Sequence, residues 1–410
     1  MPYYRRIGNI PPKRHTQFRQ PDGSLYAEEL MGQEGFSSDS SLLYHRHLPT
    51  AIVAAEEYEP QAWSRQANRP LKPRHIRTHK LDTTGADPIL GRQHLLANDD
   101  CRISYVVADQ PSPLYRNAIG DECVYVEAGR ARVETSFGAI EVAEGDYVII
   151  PTSVIHRIVP LTGAGPLRTL VIEATGHIGP PRRYLSVRGQ LLEHAPYCER
   201  DLRGPSEPLL VDDTDVEVYV QHRSRGAGPG NNVGWTKFTY AHHPFDVVGW
   251  DGCLYPWAFS IHDFEPITGR VHQPPPVHQT FEGPNFVICS FVPRKVDYHP
   301  LSIPVPYNHH NVDSDEMLFY TGGNYEARKG AGIVQGSISL HPGGFTHGPQ
   351  PGAPERAIGV DYFDELAVMV DTFRPLDLCE PALAAEDPGY AWTWARRDAP
   401  TAGAPDTATG

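Results

Sequence analysis

From about residue 103 the chain contains short runs of β-branched and aromatic residues, separated by turns that carry glycine. The first runs span residues 103–107, 122–127, 131–135 and 147–150. Runs of this kind that recur every 8–12 residues or so, with no helical period between them, are typical of antiparallel sandwiches and barrels. We therefore predict an all-β fold.

The length of the chain indicates more than one β-domain. The chain has 410 residues, and 40% of them are hydrophobic. A chain of this length is longer than those that usually fold around one hydrophobic core. Prolines punctuate the first hundred residues, and from residue 399 the chain contains only Ala, Pro, Thr, Gly and Asp. We predict an irregular, strand-poor N-terminal arm, two β-domains and a disordered tail. The arm spans residues 1–105, the two β-domains span 106–243 and 244–395, and the tail spans 396–410.

Charge and cysteine content exclude several classes of function. The net charge is −14 and no block dense in Lys or Arg offsets it, which argues against nucleic acid and anionic membranes as partners. No apolar leader or 18-residue apolar run occurs, so we expect a cytoplasmic protein. The six cysteines are scattered without a C-x-x-C pair, which indicates neither a structural zinc site nor a disulfide framework.

The first β-domain carries part of a known pattern. Residues 145–151, GDYVIIP, followed by His156, resemble the second sequence motif of the cupin jelly roll. A metal-binding cupin has an H-x-H before a carboxylate in its first motif, but residues 120–125, GDECVY, contain no histidine. We predict a cupin-like roll that lacks metal ligands, with His156 as a hydrogen-bonded residue at a strand end.

The second β-domain carries a candidate metal-binding pattern. His310 and Glu316 are separated by five residues, and His347 follows within the run Thr-His-Gly-Pro. Two imidazoles and one carboxylate form the face that holds non-haem Fe(II) and leaves positions open for O₂ and substrate. The alternative is coincidence, since the chain has 20 histidines.

The residues around this pattern bear on the metal hypothesis. Glu316 precedes the apolar run 317–320, and a carboxylate buried there is costly unless it is paired or coordinates a metal. The alternative is a carboxylate at a solvent-exposed rim. We expect His309 to point away from His310 as a structural residue. His341 is expected to orient a ligand through its free ring nitrogen.

Residues 244–252, PFDVVGWDG, together with the downstream histidines, resemble the homogentisate 1,2-dioxygenase family. Residues 13–18, KRHTQF, and the region 35–45 are also similar to its bacterial members, and the resemblance extends from about residue 10 to about 395. The resemblance implies two cupin jelly rolls and an extradiol-type Fe(II) dioxygenase of tyrosine and phenylalanine catabolism. Such an enzyme opens the ring of homogentisate with O₂ to give 4-maleylacetoacetate. A homo-oligomer, trimer or hexamer, is also implied.

The resemblance also implies roles for individual residues. His310, Glu316 and His347 match the iron ligands, and His347 also matches a residue that touches the substrate. His272, in the run 272–277, matches the proton-accepting histidine, and Tyr325 matches the tyrosine that hydrogen-bonds the substrate.

Several alternatives stay open. The loop after His272 looks shorter than in some family members, so His262 or His278 could be the base instead. Phe345 stands where a proline precedes the histidine elsewhere, and the Arg or amide that binds the substrate carboxylate is not identified. The competing functions are a dioxygenase for another dihydroxy-aromatic acid, such as gentisate, and a non-catalytic ligand-binding bicupin.

Overall fold

The computed structural model describes residues 3–81, 85–224 and 233–395. In these ranges strands predominate and α-helix is limited to two short segments, which confirms the predicted all-β class. No helix in the described ranges is long and apolar enough to cross a membrane. The predicted disordered tail, residues 396–410, lies outside the described residues.

The secondary structure of the described residues is as follows. The strands are β1 (Arg5–Gly8), β2 (Ala27–Gly32), β3 (Ser40–His45), β4 (Ile52–Glu57), β5 (Arg65–Gln66), β6 (Arg74–Arg77), β7 (Gln93–Ala97), β8 (Cys101–Ala108), β9 (Leu114–Asn117), β10 (Glu122–Ala128), β11 (Arg130–Thr135), β12 (Gly138–Ala143), β13 (Asp146–Ile150), β14 (His156–Pro160), β15 (Leu167–Ala174), β16 (Leu202–Arg203), β17 (Thr214–Arg223), β18 (Val233–His242), β19 (Val247–Gly252), β20 (Trp257–Ser260), β21 (Gln279–Gly283), β22 (Phe286–Phe291), β23 (Arg294–Lys295), β24 (Asp315–Gly323), β25 (Ser337–His341), β26 (Tyr362–Phe363), β27 (Glu365–Thr372) and β28 (Asp377–Cys379). The α-helices are α1 (Ala353–Ala357) and α2 (Glu380–Ala384), and the 3₁₀ helices are Glu34–Phe36, Thr78–Lys80, Arg182–Tyr184, Glu199–Asp201, Ile261–Asp263, Pro275–His278, Glu326–Arg328 and Tyr390–Ala395.

Strands β8 to β15 form the first jelly roll. One sheet contains the neighbours β13-β10-β15-β8 and the other contains β12-β11-β14-β9. Apart from the hairpin β11-β12, successive strands alternate between the two sheets, which is the double Greek-key pattern of the jelly roll and of cupins. Apolar side chains from both sheets, among them Val124 and Val133, meet in one hydrophobic core. The turn into β13 passes through Gly145, whose φ of 89° is accessible mainly to glycine.

The second jelly roll repeats one of these sheets. Its six strands follow the order β21-β22-β27-β24-β25-β6, in which β22-β27-β24-β25 corresponds to β8-β15-β10-β13 of the first roll. In the described residues, the opposite layer contains only the short strand pair β23-β26. The fold is therefore a bicupin with one complete roll and one roll whose second layer consists mainly of loops.

The first 105 residues differ from the predicted irregular arm. They contribute β1 to β7 and part of β8, and most of these strands pair with strands far along the chain. For example, β6 pairs with β25 of the second roll and β4 pairs with β18. The partners of these short strands are distant in sequence, so local composition does not reveal them.

The domain boundary predicted between residues 243 and 244 stays a prediction. Strands from before and after this boundary pair with each other in the same sheets. Strand β20 lies beyond it but pairs with β13 of the first roll, while β28, near the end of the chain, pairs with β7. The run 244–252 forms β19, which lies between β1 and β3. Trp250 in this run is fully buried and donates from Nε1 to the Phe137 carbonyl at 2.8 Å. This run therefore connects the N-terminal strands β1 and β3 to the first roll, through strand pairing and the Trp250 hydrogen bond.

Candidate metal centre

Glu316 is buried near the start of β24, in the sheet of the second roll. Side chains alternate along a strand, so Glu316, Leu318 and Tyr320 line a cavity, whereas Met317 and Phe319 enter the hydrophobic core. The register places Glu316 opposite His341 on β25 and opposite Asp371 on β27. A carboxylate in this position needs partners, because burying an unpaired charge is costly.

Two histidines reach Glu316 from loops. His309 and His347 exchange backbone N–H···O bonds of 2.7 and 2.9 Å, which fixes their side chains next to each other. Nε2 of His309 lies 3.7 Å from Glu316 Oε2, and Nε2 of His347 lies 3.4 Å from Glu316 Oε1. One nitrogen or oxygen atom from each of the three residues lies within 4.8 Å of the other two. The three side chains thus form a two-His, one-carboxylate cluster.

Backbone carbonyls set the tautomer of both imidazoles. Nδ1 of His309 lies 3.0 Å from the Tyr307 carbonyl oxygen, and Nδ1 of His347 lies 3.4 Å from that of Phe345. A carbonyl only accepts hydrogen bonds, so each Nδ1 carries a proton, and Nε2 is the atom of each ring that is left to bind a cation. Nε2 of His347 is buried and has no hydrogen-bond partner. A lone pair that faces a carboxylate without an intervening proton fits a bound cation.

The electrostatics of the cluster favour positive charge. Burial raises the pKa of Glu316, but the close imidazoles of His309, His341 and His347 outweigh this effect and hold the pKa well below its ordinary value. The carboxylate is therefore ionised at neutral pH. The Glu316 carboxylate, 3.7 Å from Nε2, also raises the pKa of His309. Imidazole and carboxylate donors together suit a divalent first-row metal such as Fe(II).

His341 supports the cluster from the neighbouring strand, as we expected of it. Its Nδ1 donates to Glu316 Oε1 at 2.8 Å, and its Nε2 accepts from the Tyr390 hydroxyl at 3.0 Å. Burial lowers the pKa of His341 to about 3, so the ring is neutral. The ring also stacks on that of His347, with centroids 4.3 Å apart. His341 therefore orients both Glu316 and His347.

We expect His341→Phe to lower metal affinity by about 10–100-fold, because partners that orient metal ligands have effects of this size. Competition with a chelator for bound Fe(II) or Co(II) measures the change. The control is His75→Phe, which removes another buried neutral imidazole, hydrogen-bonded to Ser337, from the adjacent strand β6. Equal losses of metal affinity in the two variants would contradict the role of His341.

The structure does not place His310 in the cluster. His310 is exposed at the edge of the cavity, and its Nδ1 lies 3.3 Å from Thr346 Oγ1. The bridge between His309 and His347 places the His309 side chain, and not that of His310, next to His347. In the cluster His309 therefore takes the position expected of His310, and which of the two histidines is a metal ligand stays a prediction.

A cavity of about 320 Å³ adjoins the cluster. Its size is within the range of small-molecule sites. Most of the surface of its wall is apolar, and Ile267, Pro274, Phe291, Val305, Leu318, Phe363 and Met369 contribute to it. His309 and Glu316 line it as well, whereas His347 is not among the described residues that do. The cavity can therefore bring a mostly apolar ligand up to the cluster.

The three candidate bases lie in different places. His272 lines the cavity, with Nδ1 3.7 Å from Asp297 Oδ2 and its ring against that of Tyr307. His278 also lines the cavity, but it is buried against Phe291, and burial lowers its pKa to about 3. His262 is exposed beside Gly145 of the first roll and does not line the cavity.

Tyr325 lines the cavity, and its hydroxyl donates to the Leu366 carbonyl at 3.3 Å. Two arginines that the sequence did not single out also line it. Arg328 is buried and donates to the Gly348 carbonyl and the Tyr320 hydroxyl, while Arg294 pairs with Glu365 at 2.9 Å. Neither arginine lies in a recognisable motif, so no local signal distinguished them.

Comparison with known proteins assigns the chain to a family. A family model described as "Homogentisate 1,2-dioxygenase C-terminal" matches residues 265–397, which include the whole cluster. A Saccharolobus solfataricus protein named "Putative dioxygenase" is 39% identical over 402 residues, which cover 96% of this chain and 99% of its own length. The chain belongs to the homogentisate 1,2-dioxygenase family.

A homogentisate 1,2-dioxygenase of Rhodopseudomonas palustris is 28% identical over 421 residues, which cover 94% of this chain and 90% of the relative. Among solved structures, a cupin 2 conserved barrel domain protein from Leptotrichia buccalis aligns with 75% of this chain and 99% of its own, at 10% identity and a TM-score of 0.33. Members of the homogentisate 1,2-dioxygenase family are metal-dependent dioxygenases, and this chain is an enzyme of that dioxygenase family.

Proposed function

We propose that the protein opens the aromatic ring of homogentisate with O₂ to give 4-maleylacetoacetate, with Fe(II) as cofactor. His309, Glu316 and His347 would hold the iron. The observation that carries this proposal is the unpartnered Nε2 of His347 beside an ionised carboxylate, at the wall of an apolar cavity. When bound, Fe(II) in a two-His, one-carboxylate site provides open positions for the substrate and O₂ together.

The cavity wall supplies substrate binding. Its apolar side chains pack on the aromatic ring and exclude water, which strengthens the polar contacts made inside. Arg294, Lys295 and Arg328 line the same cavity and supply positive charge for a carboxylate arm. Tyr325 orients the substrate by hydrogen bonding, for which its hydroxyl gives up its contact with the Leu366 carbonyl.

His272 is the proposed proton acceptor for a substrate hydroxyl. Burial lowers the pKa of His272, so the ring is neutral at pH 7 and can accept a proton. Asp297 lies near Nδ1 and stabilises the imidazolium that forms. His278 is less suited, because a pKa of about 3 makes it a weak base.

The test is turnover by protein loaded with Fe(II) under argon and then exposed to air with homogentisate, gentisate or other dihydroxy-aromatic acids. Ring-opened product from homogentisate, with the largest kcat/KM of the panel, is the expected result. Metal-free protein is the matched control. A larger kcat/KM with gentisate would reassign the substrate. Retained iron and bound ligand without any product would indicate a non-catalytic bicupin.

The family resemblance also predicts a trimer or hexamer. We propose that the strands of the N-terminal segment contribute to this assembly, since exposed apolar side chains such as Leu30 and Phe36 lie there. Sedimentation velocity of the full chain tests this proposal, and a monomer would contradict it.

A further inference from the structure

The first jelly roll repeats the framework of the metal centre. In each roll an aspartate precedes the buried glutamate and accepts backbone hydrogen bonds from the loops after the two neighbouring strands. The donors are Thr152 and Ile178 to Asp121, and Gly343 and Leu376 to Asp315, each at 2.8 or 2.9 Å. The pairs Asp121-Glu122 and Asp315-Glu316 therefore hold the same place in the two rolls.

The sheet register confirms this correspondence. Glu122 lies opposite Glu173 on β15, just as Glu316 lies opposite Asp371 on β27. On its other side Glu122 lies opposite Ile150 on β13. The corresponding neighbour of Glu316 is His341 on β25. Glu122 is fully buried. It is the first-roll counterpart of the cluster carboxylate.

His156 is the counterpart of His347. It follows Ile150 by the same interval of six residues that separates His347 from His341. Its Nδ1 lies 3.0 Å from the carbonyl oxygen of Val154, two residues back, as in the second roll. Its Nε2 is also buried and has no hydrogen-bond partner. The first roll thus keeps one carboxylate and one imidazole lone pair.

Tyr115 takes the place of His309. It precedes Glu122 by seven residues, as His309 precedes Glu316, and it pairs in register with His156, as His309 bridges to His347. One of the three donor positions is therefore changed.

Arg92 supplies a cation at this place. Its Nη2 donates to Glu122 Oε2 at 2.9 Å, its Nη1 lies 3.5 Å from Glu173 Oε1, and its guanidinium lies over the Tyr115 ring. The side chain is 4% exposed. Arg102 pairs with Glu173 as well, so two guanidinium groups balance two buried carboxylates. Such a network is stable only when each charge is paired.

We propose that the first roll is a latent metal site, in which the guanidinium of Arg92 occupies the place of a divalent cation and Tyr115 replaces one ligand. The class of ion, a divalent first-row metal, rests on the function proposed for the second roll. Exchanging Tyr115 for histidine and removing the Arg92 side chain restores a two-His, one-carboxylate site, in which the introduced imidazole joins Glu122 and His156.

The experiment compares Tyr115→His/Arg92→Ala with wild type and with Tyr115→His alone, in which Arg92 still fills the site. Each full-length protein is titrated with Co(II) under argon, and bound cobalt per chain is read from visible absorption and elemental analysis. Wild type and Tyr115→His are expected to bind one cobalt ion through the second roll. The double variant is expected to bind two, and to be stabilised by cobalt more than wild type in thermal unfolding.

A second series separates this proposal from the proposed function. The same first-roll variants are made with His309→Ala, which removes one donor of the second roll. The double variant in this background should still bind one cobalt ion. A folded double variant with no additional cobalt would overturn the latent site, whatever the second roll binds. Failure to fold both with and without cobalt would also overturn it, because the metal should replace the missing positive charge.

Discussion

His309→Ala is expected to lose bound Fe(II), while His310→Ala, one residue further along, keeps it. His309 offers an Nε2 lone pair 3.7 Å from Glu316 Oε2, whereas His310 is exposed and contacts Thr346. Loss of a direct ligand should weaken metal affinity by more than about 100-fold, since partners that only orient ligands account for 10–100-fold. Elemental analysis after dialysis against a weak chelator measures the difference.

The pair of adjacent histidines supplies its own control. Each substitution replaces one histidine by alanine, at neighbouring positions. The two variants therefore have the same composition and net charge, and a difference in bound iron cannot come from either. His310→Ala should change the free energy of unfolding by about 0.5 kcal/mol or less, as is usual at an exposed position. Iron retained by His309→Ala but lost by His310→Ala would restore His310 as the ligand, as spacing and the family resemblance predicted.

The choice between these histidines shows what the sequence could not determine. Strand alternation predicts that His309 and His310 face opposite sides. In the structure His309 faces Glu316, whereas His310 is exposed at the edge of the same cavity. Which of them faces inward depends on the bridge between His309 and His347, a pairing across 38 residues of chain. One signal was present in the sequence. Tyr115 precedes the Asp-Glu pair of the first roll by the same interval as His309 in the second.

The elements that were predictable are those defined by local pattern. The strands of the first roll follow the β-branched runs closely, and β13 contains the whole run 147–150. Glu316 and His347 were predicted as ligands from their spacing and from the family resemblance, both of which the sequence alone displays. The N-terminal strands were missed because they are short and owe their stability to distant partners, as β6 does to β25.

His272→Ala is expected to keep its iron and to lower kcat by about 10²–10⁴-fold, the usual contribution of a positioned general base. His272 lines the cavity but is not part of the three-residue cluster, so its removal leaves the metal ligands in place. The steady-state rate of product formation at saturating substrate, after air is admitted to the iron-loaded protein, measures the loss. His278→Ala is the matched control, because it removes another histidine from the same cavity.

The pH dependence distinguishes a base from a residue that only shapes the cavity. Burial lowers the pKa of His272 from its ordinary value of 6.5, with Asp297 opposing the shift and Arg294 adding to it. The neutral, proton-accepting form is therefore present above this lowered pKa, and kcat/KM should fall as the pH drops through it, below pH 6.5. His272→Ala should remove this acidic limb, whereas His278→Ala should retain it. An unchanged limb in His272→Ala, or loss of iron from that variant, would transfer the proton-accepting role to another residue.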